Sequence, residues 1–119
     1  MVRAIRAARR FAAGGGVAEA AVDRLCLVVD EWLTNVVEHG EPPPGSRLVV
    51  DMDRGAAGLT VTLTDAGRPF DPRAAAAFEG PNPDRGGGAG LELVRAWSQI
   101  ADYRRRRGRN RVVLVVAAG

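Results

Sequence analysis

Ala18-Glu19-Ala20-Ala21-Val22-Asp23-Arg24-Leu25-Cys26-Leu27-Val28-Val29-Asp30-Glu31-Trp32-Leu33-Thr34-Asn35-Val36-Val37-Glu38-His39 is the longest periodic stretch of the chain. Val22, Leu25, Val29, Leu33 and Val36 recur at three- and four-residue intervals, so the segment is predicted to be a helix with one apolar stripe. At about 100° per residue, Glu31, Asn35 and Glu38 gather on the opposite side, with His39 toward its flank. Gly40 and Pro42-Pro43-Pro44-Gly45 then end the helix and turn the chain. Outward from this helix, residues 2–13 fit a short amphipathic helix that Gly14-Gly15-Gly16 closes. Downstream, Arg47 to Asp53 and Leu59 to Asp65 alternate as two strands of a hairpin, Leu59, Val61 and Leu63 on one face and Thr60, Thr62 and Thr64 on the other. One face of that sheet is expected to carry the helices.

The rest of the chain follows the same logic. Residues 71–86 lose periodicity, apart from a possible helical turn from Arg73 to Phe78, and make the best loop candidate. A helix from Leu91 to Ala101 is expected, directly after the glycines of Gly86-Gly87-Gly88-Ala89-Gly90. A second hairpin closes the chain, with Tyr103 to Arg107, a turn at Gly108-Arg109-Asn110 and an apolar strand from Val112 to Ala117. With 119 residues, the chain is expected to be one domain, 1–119. Hydrophobic content of 46% is ordinary for a globular protein. No apolar run reaches the roughly 20 residues that cross a bilayer, and no secretory signal is evident. A cytoplasmic location without membrane contact is expected. Cys26 is a single cysteine, which excludes a disulfide framework within the chain.

The net charge of +3 rests on 17 basic residues, all of them arginine. Any side-chain cation that meets a phosphate must therefore be a guanidinium. Arg104 to Arg107, Arg109 and Arg111 form the densest run. Alternation along a hairpin is expected to divide these charges between two faces, and stacking aromatics are scarce, so direct nucleic-acid binding is not expected. An acidic protein surface suits the same arginines better.

Three polar segments carry chemistry. Glu31 and Asn35 lie one helical turn apart, a spacing that suits a general base beside an oxygen ligand for magnesium, or simply a solvated helix face. Asp65 ends its strand two residues before Gly67, which presents a carboxylate acceptor beside a gap free of side chains, or a plain turn. An amino group on a flat ring would fit there. The glycines of 86–90 run straight into a helix, which favours an anion, or make a hinge. They match neither a dinucleotide fingerprint, which needs a strand just before, nor a P-loop, which needs a lysine.

In this order, Glu31-x-x-x-Asn35, strand-terminal Asp65-x-Gly67 and Gly86-x-Gly88-x-Gly90-Leu91 resemble the GHKL ATPase superfamily of gyrases, heat-shock chaperones, histidine kinases and mismatch-repair proteins. The flanks Asp30 to Gly40 and Gly90 to Arg95 look most like the anti-sigma-factor serine/threonine kinases. The resemblance implies an α+β fold of Bergerat type, a two-layer α/β sandwich whose mixed, mostly antiparallel sheet carries helices on one face. Family members usually begin with a strand before the first helix, so an edge strand is apparently missing here, and a partner or second copy could cover that edge. By position, the resemblance implies that Glu31 is the general base, that Asn35 coordinates magnesium, and that Asp65 accepts from the adenine amino group beside Gly67. Gly86, Gly88, Gly90 and the amides from Leu91 onward would hold the phosphates of ATP, with Arg85 a further phosphate contact and residues 71–85 the lid. It also implies transfer of the ATP γ-phosphate to a serine or threonine of an anti-sigma antagonist, and sequestration of a sigma factor. The alternative is a catalytically silent, ATP-gated adaptor.

Overall fold

The computed structural model describes residues 2–13, 17–56, 58–74 and 88–117. Helices α1 (Val2–Ala13) and α2 (Glu19–His39) come first, then strands β1 (Val49–Gly55) and β2 (Gly58–Asp65). A 3-10 turn (Pro72–Ala74), helix α3 (Gly88–Trp97) and strands β3 (Gln99–Arg106) and β4 (Arg109–Val116) complete the order. The strands form one sheet, β1-β2-β4-β3. Every ladder among the described residues is antiparallel, in keeping with the mostly antiparallel sheet that the resemblance implies.

The apolar stripe of α2 is buried as its period requires, from Ala21 and Val22 through Leu25, Val29, Trp32 and Leu33 to Val36. It faces Leu59, Val61 and Leu63 of β2 and Val112, Leu114 and Val116 of β4, and these residues make one core. α1 packs on α2 and touches β1, while α3 packs on the other side of α2 and touches β3. The helices thus form a single layer on one side of the sheet, the two-layer α+β arrangement expected. Among the described residues no helix is long and apolar enough to cross a membrane.

Two segments depart from expectation. α3 ends at Trp97, which is 42% exposed, and not at Ala101. Ser98 closes it by donating from both its amide and its hydroxyl to the Val94 carbonyl. Gln99 and Ile100 then pair with Val115 and Leu114, ahead of a bulge between Ile100 and Asp102, so the ladder to β4 overrides the local helical period. In the closing hairpin the turn is Arg107-Gly108, with φ of 52° and 74°, the left-handed pair that two-residue hairpins favour. Asn110 is therefore a strand residue and is buried. That turn also corrects the expected division of the arginines. It sets Arg104 opposite Arg111 and Arg106 opposite Arg109, on the sheet face away from the helices, and only Arg105 points the other way. The possible helix from Arg73 to Phe78 shrinks to the turn at Pro72–Ala74, and its remainder lies outside the described residues.

Candidate functional site

β2 brings Asp65 to the site because its alternation continues one step past Leu63, which places a carboxylate where an apolar side chain would otherwise sit. Asp65 is only 3% exposed. A buried carboxylate is costly unless it is hydrogen-bonded, and Oδ1 accepts from the Gly67 amide at 2.8 Å and from Asn110 Nδ2 at 3.1 Å. Oδ2 accepts no bond from the described residues. Among the described residues, one oxygen is thus held by the fold and the other is not.

Asn110 organises the turn that follows. Its Nδ2 also donates to the Arg68 carbonyl at 2.7 Å and, more weakly, to that of Gly67 at 3.3 Å. Its Oδ1 accepts from the Tyr103 hydroxyl, which in turn accepts from the Phe70 amide at 3.2 Å. Arg105, the one arginine on the helix side of its strand, donates to the Gly67 carbonyl at 2.6 Å. The turn is tied equally to α2: the Arg68 amide donates to the Gly40 carbonyl at 2.7 Å and its guanidinium to the His39 carbonyl at 2.9 Å. A Cβ at Gly67 would stand 2.9 Å from Asp65 Oδ1 and 2.9 Å from the Gly40 carbonyl oxygen, so only glycine allows this approach. The immediate reason for Gly67 is the closeness of strand end and helix end.

On α2, Glu31 and Asn35 are both half-buried on successive turns. Burial pushes the Glu31 carboxyl above the ordinary glutamate range, and the nearby Asp30 and Glu38 carboxylates push it further. A carboxylate with a raised pKa holds a proton more strongly than an ordinary glutamate, a property that suits taking one from a hydroxyl. Between them, Trp32 stacks at a tilt against Phe70, ring centres 6.1 Å apart, which joins this part of α2 to the turn. Trp32 is 2% exposed and its indole N–H has no hydrogen-bond partner among the described residues. His39 enters through its carbonyl; its ring makes only a loose 3.9 Å approach to Glu38 at the surface.

α3 begins at Gly88, so Gly88 and Gly90 lie in its first turn and Leu91 is buried beneath it. Amides in a first helical turn lack partners within their own helix and favour anions. Arg95 fixes α3 to the far end of the Asp65 turn by donating to the Pro72 carbonyl. On either side of Pro72, Arg73 forks onto Asp71, with Nε and Nη2 both 3.0 Å from the carboxylate oxygens. The Arg73 side chain thereby holds the Asp71 carboxyl below the ordinary carboxylate range, against a smaller opposing effect of burial. Arg85 and Gly86, and all but the first residues of the expected lid, lie outside the described residues.

The part of α2 carrying Glu31 and Asn35 and the Asp65 turn are therefore linked by direct contacts, and α3 joins them through Arg95 in its last turn. Among the described residues no group of three or more His, Cys, Asp or Glu is placed to hold a metal ion. A magnesium ion here would depend on Asn35 together with oxygens of a bound phosphate and water, a donor set that suits that hard, well-hydrated cation. Asn110, Tyr103 and Arg105 escape the motif reading. Asn110 has one sequence signal, as the polar member of the buried series 110, 112, 114, 116.

The sequence model described as histidine kinase-like ATPase domain matches residues 1–116. No curated protein sequence matches the chain. Among solved structures, the histidine kinase domain of the blue-light activated histidine kinase from Erythrobacter litoralis EL346 superposes with a TM-score of 0.60 at 18% identity. The match covers 98% of this chain and 62% of that one, so the shared fold is the extent of the likeness.

Proposed function

The chain belongs to the histidine kinase-like ATPase family, and from that premise we propose that it binds magnesium-ATP and transfers the γ-phosphate to a serine or threonine of an anti-sigma antagonist. In this reading it works in the cytoplasm as a regulatory kinase that also sequesters a sigma factor. The observation that carries the nucleotide half is the split use of Asp65. Its Oδ1 is occupied by Gly67 and Asn110, and its Oδ2 remains to accept the exocyclic amine of adenine. The transfer half rests on Glu31, whose raised pKa suits a base.

The chemistry asked of the chain is modest. Glu31 takes the proton of the attacking hydroxyl as that oxygen bonds to the γ-phosphorus. The bond from phosphorus to the β,γ-bridging oxygen breaks, and ADP leaves with the electron pair. Magnesium, held at Asn35, would neutralise phosphate charge. Gly88, Gly90 and the first amides of α3 would orient the phosphates.

Incubation with radiolabelled ATP and an anti-sigma antagonist tests the reading. Label is expected on a serine or threonine of the antagonist with the wild-type chain and to be lost with Glu31→Gln. Thermal unfolding runs beside it, since ATP at a hundredfold above its dissociation constant adds about 2.7 kcal/mol of stability. Stabilisation without transfer would leave an ATP-gated adaptor, and no stabilisation at all would remove the nucleotide site.

A further inference from the structure

The face of the sheet turned away from the helices carries a feature that neither the fold nor the nucleotide site uses. Register places Arg104 directly opposite Arg111 and Arg106 directly opposite Arg109. Arg107, in the turn, adds a fifth guanidinium, and with Thr64 these side chains line an open concavity of about 560 Å³. All five arginines are exposed. Arg104 reaches Asp102 at 3.0 Å, whereas Arg106, Arg107, Arg109 and Arg111 have no acidic partner among the described residues. Like charges directly opposite each other destabilise an antiparallel pair. The hairpin gains nothing from them, because its turn is already specified by the left-handed Arg107-Gly108. A local choice that works against the fold marks a function.

We propose that this face binds an extended acidic segment of a partner protein. Guanidinium forks match carboxylates two bonds at a time. Residues two apart on one side of a strand are spaced about 6.6 Å, the same pitch at which an extended peptide repeats its own side chains. A peptide with alternating carboxylates can therefore meet Arg109 and Arg111 along one strand and Arg104 and Arg106 along the next. Beyond Arg111 the same row of β4 continues into the half-buried Val113 and Val115, an apolar strip for the rest of the segment. A nucleic acid fits less well. Asp51 and Asp102 stand in the same cross-strand row as Thr62 and Val113, where they would repel a phosphate track. No aromatic residue of the four strands lies on this face, since Tyr103 is turned to the helix side, opposite buried Val112.

Fluorescence anisotropy of the whole chain tests the proposal with three labelled probes: a short peptide alternating Glu and Thr, its Gln-for-Glu counterpart, and a single-stranded oligothymidylate. The Glu peptide is expected to bind at least about tenfold more tightly than the Gln peptide, an advantage that shrinks with added salt. The double variant Arg106→Ser with Arg109→Ser is expected to lose that advantage. Its thermal midpoint should equal or exceed the wild-type value, because a repulsive pair is gone, and its stabilisation by ATP should be unchanged. Arg104→Gln with Arg111→Gln repeats the test on the other facing pair. Equal binding of the two peptides, full retention of Glu-peptide binding in both double variants, or tighter binding of the oligothymidylate than of the Glu peptide would each overturn it.

Discussion

Asn110 donates to Asp65 Oδ1 at 3.1 Å across a pair of residues that stand directly opposite each other in the β2–β4 ladder. The same amide nitrogen reaches the carbonyls of Gly67 and Arg68, so one buried side chain serves both the carboxylate and the turn beyond it. Asn110→Ala leaves those acceptors and the Tyr103 hydroxyl short of partners in a buried setting. The expected loss is about 1–3 kcal/mol of stability by urea unfolding, together with weaker ATP binding. A loss below about 0.5 kcal/mol would show that water or rearrangement replaces the network.

Asp65→Asn keeps the shape of the side chain and replaces one acceptor by a donor. ATP affinity measured by calorimetry is expected to fall at least about tenfold, or about 1.4 kcal/mol. Wild-type protein should also favour ATP over GTP, because guanine presents a carbonyl oxygen where adenine presents an amine. Equal affinities for the two nucleotides would remove Asp65 from base recognition.

Glu31→Gln separates catalysis from folding. The folded-state pKa of Glu31 is raised by burial, then by Asp30 and Glu38. The folded protein therefore binds this proton more tightly than the unfolded chain does. The stability this proton provides is full below the ordinary glutamate pKa and is lost as pH rises through the folded value. Glu31→Gln should accordingly melt above wild type near neutral pH, and the gap should close toward about pH 4. Phosphate transfer should drop by about 10²–10⁴-fold with ATP binding retained. A variant that melts below wild type at neutral pH would contradict the raised pKa.

Gly67→Ala introduces a methyl 2.9 Å from the Gly40 carbonyl, which is backbone and cannot swing aside. Strain of about 1–3 kcal/mol is expected, visible as a lower thermal midpoint, and ATP stabilisation should weaken with it because Asp65 Oδ1 lies at the same distance. Wild-type stability in this variant would mean that the helix end and the turn separate without cost.

Much of this architecture is legible in sequence, and the reason is local. The stripe of α2 has a strong period, and all five of Val22, Leu25, Val29, Leu33 and Val36 are buried. Both hairpins alternate clearly. Where non-local pairing decides, the sequence reads differently. Asn110 has turn company in Gly108 and Arg109, and only its pairing with Asp65, far away in the chain, makes it a strand residue. The arginines alternate along each strand as expected. Which residues of two strands share a face, however, depends on whether the turn is Arg107-Gly108 or the triplet after it. Ile100 likewise continues the apolar period of α3 but is claimed by the ladder to Leu114. Of the candidate site, Glu31, Asn35, Asp65 and Gly67 are visible as motifs, while Tyr103, Arg105 and Asn110 emerge only when the sheet brings them beneath the turn.

The contact between Trp32 and Phe70 has a practical side. The chain has two tryptophans, one sealed beside the Asp65 turn and one, Trp97, open to solvent. A water-soluble quencher such as iodide is expected to reach Trp97 and spare Trp32, leaving an emission that should respond to displacement of Phe70. The protein thus contains its own optical gauge of the turn, readable without any attached dye.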